Sequence, residues 1–240
     1  MIPSQDRLFE ALDRTWPAAA QFQAGPWLIR EGKQGGQRVS AATPTSATAA
    51  QEISLAEAKM DALGQERLFQ INPDRDGALD QALEAKGYVI RDPVLFYVAA
   101  LSALGPAKSE SVVMVWPPLA KSEEIWADGG IGPGRFRVME RVAGAKTSIL
   151  ARKDDHPAGT AFVAVDNEIA MIHAIEVPRN ARRKGAATDM LNAAAGWAKR
   201  QGASNLALAV TRRNVAANGL YASLGMTPVG GYHYRAITAD

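Results

Sequence analysis

The stretch RRKGAA, residues 182–187, joins a run of bases to a single glycine and then to an alanine-rich segment. It follows the apolar run EIAMIHAIEV and precedes a segment whose Ala187, Met190, Leu191, Ala194 and Trp197 recur on one helical stripe. A strand, a glycine and a helix start, in that order, suit an anion. Gly185 has no side chain where a ligand oxygen must approach the backbone. The N–H groups of Lys184, Gly185, Ala186 and Ala187 lie where a helix begins, and the helix dipole favours negative charge there. Arg182, Arg183 and Lys184 add charge at the same point. The plainer alternative is a solvated basic turn entering a helix, and spacing alone does not separate the two. The stretch is neither a Walker A loop, which needs Lys-Ser/Thr after its second glycine, nor G-x-G-x-x-G.

Other chemistry is sparse. The chain has no cysteine, which excludes disulfides, thiolate metal sites and cysteine nucleophiles. The histidines His156, His173 and His233 have no partner at metal-ligand spacing, so no metal is expected. In a regular strand His173 would share a face with Met171 and Ile175, as a satisfied core histidine does. Tyr221 shares a helical stripe with Ala217, Leu220 and Leu224, and pattern alone makes it a core residue. Asn214 is a good N-cap for that helix. Arg212 and Arg213 read as a solvated basic edge.

The elements that must position these residues alternate along the chain. The spacing predicts a helix over 4–20, bent or ended by Pro17, then two strand-like runs around the glycine-rich turn of PWLIREGKQGGQRVSAATP. A helix capped by Ser54 and stopped by Gly64, the strand RLFQI, a helix over 76–86 and the strand-like YVIRDPVLFYVAAL follow. SALGPAKS, 102–109, is small and turn-forming and marks a boundary. Beyond it come the strand VVMVW, a helical region to about 143 interrupted by DGGIGPG, three strands, a helix over 186–200, the strand NLALAVT, a helix from Asn214 to Gly225 and the strand YHYRAI. A shift of 138 residues lays Gly64 on Gly202, Leu68 on Leu206, Arg75 on Arg213 and Gly87 on Gly225. Identities are few, but helix, strand and helix fall in one order with the same stops, as in two copies of an α/β unit. The first copy has PTSATA in place of RRKGAA and Leu83 in place of Tyr221, so it keeps the fold and drops the polar groups.

EVPRNARRKGAATDML resembles the acyl-CoA signature of the GNAT superfamily of N-acetyltransferases, Arg/Gln-x-x-Gly-x-Gly/Ala, through Arg182, Gly185 and Ala187. NVAANGLYASLGM is similar to the same family's Asn-x-x-Ala-x-x-Leu-Tyr-x-x-Leu-Gly-Phe block, with Met226 for Phe, and the first half resembles the degenerate lobe of tandem members. The resemblance implies an α/β fold with a mixed (α+β) sheet in two acyl-CoA N-acyltransferase-like lobes: 1–101 degenerate, 102–109 a linker, 110–240 catalytic. It implies acetyl-CoA as acyl donor, lying between strands 169–177 and 205–211 that splay apart. Pantetheine would pair with backbone around Ile175 to Val177, and the pyrophosphate would lie on N–H groups of Arg183 to Ala187. Tyr221 becomes the general acid for the leaving thiolate. Glu176 is the leading base, or else a carboxylate paired with a neighbouring arginine. Asn214 is a cofactor contact or a cap.

At 240 residues, 47% apolar and 22% charged, the chain can bury one large or two small cores. A net charge of +2 disfavours nucleic acid as partner. The amphipathic start MIPSQDRLFEALDRTW has no signal-peptide core, and no apolar run suits a bilayer span. The expectation is a cytoplasmic, acetyl-CoA-dependent transferase acting on a small-molecule or peptide amine, as monomer or homodimer. A binding-only acyl-CoA sensor is the rival.

Overall fold

The computed structural model describes residues 1–106 and 111–237, so residues 107–109 of the expected linker lie outside the described residues. The helices are α1 (Gln5–Thr15), α2 (Ile53–Ala62), α3 (Gly77–Ala85), α4 (Ala120–Asp128), α5 (Pro133–Arg141), α6 (Ala186–Arg200) and α7 (Val215–Ser223). The strands are β1 (Ala20–Ala24), β2 (Trp27–Glu31), β3 (Thr43–Pro44), β4 (Leu68–Ile71), β5 (Val89–Ala100), β6 (Val112–Val115), β7 (Lys146–Lys153), β8 (His156–Asp166), β9 (Ile169–Glu176), β10 (Asn205–Thr211) and β11 (Thr227–Ala236). The chain divides into two compact units that interleave in sequence. One holds residues 1–17, 96–210 and 214–229; the other holds 18–95, 211–213 and the chain from 230 onward.

In the first unit β6, β7, β8 and β9 form an antiparallel run, and β10 lies parallel to β9 with β5 beyond it. Seven successive residues of β8, Ala158 to Ala164, are buried. Strand side chains alternate between faces, so unbroken burial means that both faces are covered. Helix α6 packs on β7, β8 and β9, while α1 and α4 pack on β8 and β9. Ser4 caps α1 by accepting from the Arg7 N–H at 3.3 Å. The helix ends at Thr15 rather than near residue 20 because Trp16 precedes Pro17, and a pre-proline residue is driven out of the helical region.

In the second unit β1, β2 and β3 form a small antiparallel sheet, and β4, β11 and β5 lie side by side. Trp27, Met60, Phe69, Ile71, Leu83 and Tyr88 form its core, with Phe69 placed 5.3 Å from Trp27 and 5.2 Å from Tyr88, centroid to centroid. Two expected elements differ here. The QRVS run is a 3-10 turn, Gln37–Val39, rather than a strand. Helix α2 follows a second 3-10 segment, Ala47–Gln51, with one residue between them, so Glu52 takes the cap position and Ser54 falls inside the helix.

The repeat persists as element boundaries. Helices α3 and α7 correspond at both ends after a shift of 138 residues (77 to 215, 85 to 223). Strands β5 and β11 correspond at their starts (89 to 227), and α2 and α6 at their ends (62 to 200). The four matched stops, Gly64, Gly202, Gly87 and Gly225, all have φ between 62° and 88°, where a side chain is disfavoured.

Within the second unit α3 is tied to β11 by Asp80, which accepts from His233 Nε2 at 2.8 Å and from Arg235 Nε at 2.7 Å. Burial opposes ionisation of Asp80, but these two donors outweigh it and hold the carboxyl below its ordinary range. Arg235 is buried, and its Nη1 also donates to the Tyr88 carbonyl. Asp80→Asn is expected to destabilise the protein by about 2 kcal/mol at pH 7, since it weakens hydrogen bonds to a buried cation. A carboxyl whose folded pKa is depressed stabilises above its unfolded pKa, and the increment is lost as pH falls through the folded value. The difference in Tm between wild type and variant should therefore shrink below about pH 4. A difference that stays constant down to pH 2 would contradict this.

Candidate active site

Strand β9 begins as an ordinary member of the sheet. Ile169, Ala170 and Met171 pair with Asn205, Leu206 and Ala207 of β10, and the register given by the ladder ends there. Both strands run on, β9 to Glu176 and β10 to Thr211. On the other edge Phe162 faces His173 but Thr160 faces Glu176, so β9 carries one extra residue. Ala174, at φ 50°, is the bulged position. A bulge bends its strand and re-aims the backbone. Here it lies just beyond the last β9–β10 pair, so the parallel edge opens over Ile175, Glu176 and Val177. The Trp126 Nε1–H of α4 donates to the Ala174 carbonyl at 2.7 Å and holds the bulge.

The bulge also corrects the regular strand expected around His173. His173 is buried against Trp16 and Phe162, and its Nε2 lies 2.9 Å from Thr15 Oγ1. It is a core histidine, as its apolar setting suggested, but Ile175 no longer follows it in simple alternation.

Glu176 is three-quarters buried, and Arg182 Nη2 lies 4.0 Å from its Oε1. Burial raises the Glu176 pKa, while Arg182 and the Val177 N–H oppose the rise without cancelling it. Both expected readings of this carboxylate thus have a basis: it has an arginine nearby and it is shifted toward the range of a base. Arg182 Nε also donates to the Val177 carbonyl at 3.1 Å, which fastens the basic loop to the end of β9.

Beyond Arg182 the backbone turns through Arg183 (φ 62°) and Gly185 (φ 83°) into α6. No side chain caps α6, although the first-turn N–H groups of a helix lack intrahelical acceptors. Arg182, Arg183, Lys184 and Gly185 are exposed, while Ala186 is buried and Ala187 partly so. A Cβ added at Gly185 would meet only Lys153 Nζ, at 3.7 Å. That lysine is paired with Asp189, a buried carboxylate in the first turn of α6. The pair was not legible in the sequence, because Asp189 is local to the loop but Lys153 comes from the end of β7.

Asn214 caps α7 by accepting from the Ala217 N–H at 3.2 Å, which satisfies the structural half of its expected role. Helix α7 is mostly exposed and buries Tyr221, whose ring centroid lies 5.6 Å from that of Tyr97. Burial pushes the Tyr221 phenol up to about 12, so it keeps its proton at any physiological pH. Arg212 and Arg213 are exposed, and Arg213 pairs with Asp92 at 3.2 Å. Among the described residues no cluster of three or more His, Asp or Glu could hold a metal ion, and no helix is long and apolar enough to cross a membrane.

Residues 115–226 match the model of the Acetyltransferase (GNAT) family, and that span contains β9, the basic loop, α6, β10 and α7. The chain is 25% identical over 231 residues, 92% of it and 94% of the relative, to YobR of Bacillus subtilis (strain 168), described as an uncharacterised N-acetyltransferase. Among solved structures, a GCN5-related N-acetyltransferase from Kribbella flavida is similar in fold at a TM-score of 0.69 and 17% identity, covering 98% of this chain and 95% of that one. A tandem GNAT protein from the clavulanic acid biosynthesis pathway, solved without acetyl-CoA, is similar at 0.55 and 13% identity, covering 89% and 79%. The family match and the curated relative support the GNAT acetyltransferase family and an N-acetyltransferase enzyme, and the solved structures share the fold.

Proposed function

We propose that this GNAT-type N-acetyltransferase uses the opening between β9 and β10 as an acetyl-CoA site and transfers the acetyl group to a primary amine. The observation that carries the reading is a ladder that ends at Met171 and Ala207, directly ahead of a largely shielded carboxylate and an uncapped helix start. The fit to the donor is local. The open edge of Ile175 and Val177 suits an amide-bearing arm, and the N–H groups of Arg183, Lys184, Gly185, Ala186 and Ala187 suit a pyrophosphate. Asn214 stands at the start of α7, on the same part of the family match, and serves there as a cap that can also reach a ligand.

Acetyl-CoA, when bound, supplies an activated acetyl thioester. Glu176 takes the proton that an alkylammonium must lose before its nitrogen can attack. The C–N bond then forms as the C–S bond breaks, the Tyr221 hydroxyl gives its proton to the departing sulfur, and the second proton of the acetylated nitrogen passes to solvent to leave the neutral amide. Glu176 and Tyr221 afterwards exchange protons with solvent. The reaction needs neither a metal nor a covalent enzyme intermediate.

In this reading residues 110–240 are the catalytic lobe, 102–109 the connection and 1–101 a degenerate GNAT-like lobe, except that residues 1–17 pack in the unit holding 96–210 and the chain from 230 onward in the unit holding 18–95. The matched boundaries of α3 and α7 support the repeat on which that division rests.

Titration calorimetry with acetyl-CoA should give measurable heat, and the ligand should raise Tm. Neither occurring would reject the acyl-donor site. A screen of amines for release of free CoA should then name the acceptor class. Binding without release for any amine would assign an acyl-CoA sensor instead.

A further inference from the structure

The two adjacent glycines of the DGGIGPG stretch have different tasks. Gly130, at φ 78°, closes α4: its N–H donates to the Ala127 carbonyl at 3.0 Å and the Ile131 N–H to the Trp126 carbonyl at 2.7 Å. That is the left-handed residue and bond pair of a Schellman end, and it explains Gly130 completely. Gly129 has φ −82° and ψ 4°, the conformation that Lys86, Gln201 and Leu224 adopt at their own helix ends, so no backbone demand requires glycine there. Its surroundings do. A Cβ on Gly129 would lie 2.6 Å from both Cγ and Cδ of Glu176 and 2.8 Å from Oε2. The carboxylate thus rests against the bare backbone at the end of α4.

We infer that Gly129 is a positioning residue for Glu176, giving its carboxylate a seat against α4 that any side chain would fill. The inference rests on Glu176 being the base proposed above. Its physical content is that α4 grips the bulged end of β9 at two points: Trp126 holds the Ala174 carbonyl, and Gly129 receives the Glu176 side chain. The other neighbours of Glu176 leave this seat as the decisive one. From β8 come Thr160, opposite it in register, and Gly159, whose added Cβ would meet the Glu176 carbonyl at 3.0 Å; neither is charged. From the basic loop comes Arg182, the one charged side chain among the described residues that is paired with it, at 4.0 Å. Loss of this seat would release the carboxylate from the packed backbone of α4, and the expected changes are more water around it and freer approach to Arg182. Both changes favour the ionised form.

The clash is with the far end of a flexible side chain, so Gly129→Ala should be tolerated by the fold and felt by the carboxylate. The test is a carboxyl-carbon NMR titration of protein labelled at glutamate, with the Glu176 signal identified by its loss in Glu176→Gln. Wild type should show Glu176 titrating above an ordinary glutamate, and Gly129→Ala should return it to the ordinary range with Tm and acetyl-CoA affinity nearly unchanged. With the best amine from the screen, Gly129→Ala should lower kcat about 10-fold or more and move the acidic limb of the pH profile to lower pH. An unaltered Glu176 titration in Gly129→Ala overturns the inference while leaving the base assignment standing. If Glu176→Gln keeps full activity and the acidic limb, the base assignment fails, and the catalytic role of Gly129 fails with it.

Discussion

Tyr221→Phe should lower kcat by about 100-fold or more while acetyl-CoA affinity stays within about 2-fold of wild type, because general-acid assistance is typically worth 10²–10⁴. The variant isolates the hydroxyl. Phenylalanine preserves the ring that packs 5.6 Å from Tyr97, so the local core and α7 should be undisturbed. The phenol of the wild-type protein is raised to about 12 by burial alone, so it is protonated throughout the range in which activity can be measured. No basic limb from Tyr221 should appear below about pH 10, and the acidic limb should be the same in both proteins. A large loss of acetyl-CoA affinity, with kcat intact, would instead make Tyr221 a packing residue.

Gly185→Val should weaken acetyl-CoA binding by at least about 100-fold, at a cost in stability of only about 1–2 kcal/mol. Two features set these sizes apart. The stability cost comes from φ 83°, a conformation that a β-branched residue adopts badly. Steric cost in the free protein is small, since an added Cβ meets nothing nearer than Lys153 Nζ at 3.7 Å. The affinity loss comes from the ligand side, where a pyrophosphate must lie against the backbone N–H groups at the start of α6. Calorimetry on Gly185→Val and Gly185→Ala, compared with their Tm values, separates the effects. Unchanged affinity in the valine variant would return RRKGAA to a basic turn.

Much of the frame was legible because local rules act within a few residues. Glycine stops, apolar periods and the Asn214 cap each depend on a single turn of chain, and the structure keeps them. Pro17 ended the first helix as expected, since Trp16 before it is driven out of the helical region. The misplaced cap arose at Ser54, where a preceding 3-10 segment moved the cap to Glu52. For the site, the sequence supplied the list of residues through two family-like blocks. It gave no sign of Trp126, Lys153 or Gly129, which reach the site from elements far off in the chain, and so none that Asp189 of α6 would be paired there.

The sequence by itself therefore determined the order of helices and strands, the glycine at which the basic loop turns into α6, and the presence of a tyrosine and a carboxylate at family-like positions. Only the tertiary structure decided what those groups can do. A period-two pattern cannot reveal the extra residue at Ala174, since a bulge is set by how β9 matches β8 and by the Trp126 hydrogen bond. Nor can a sequence reveal that Glu176 is largely shielded from water or that Tyr221 is buried. Protonation depends on solvent exclusion and on charges brought close through space, and folding alone creates both.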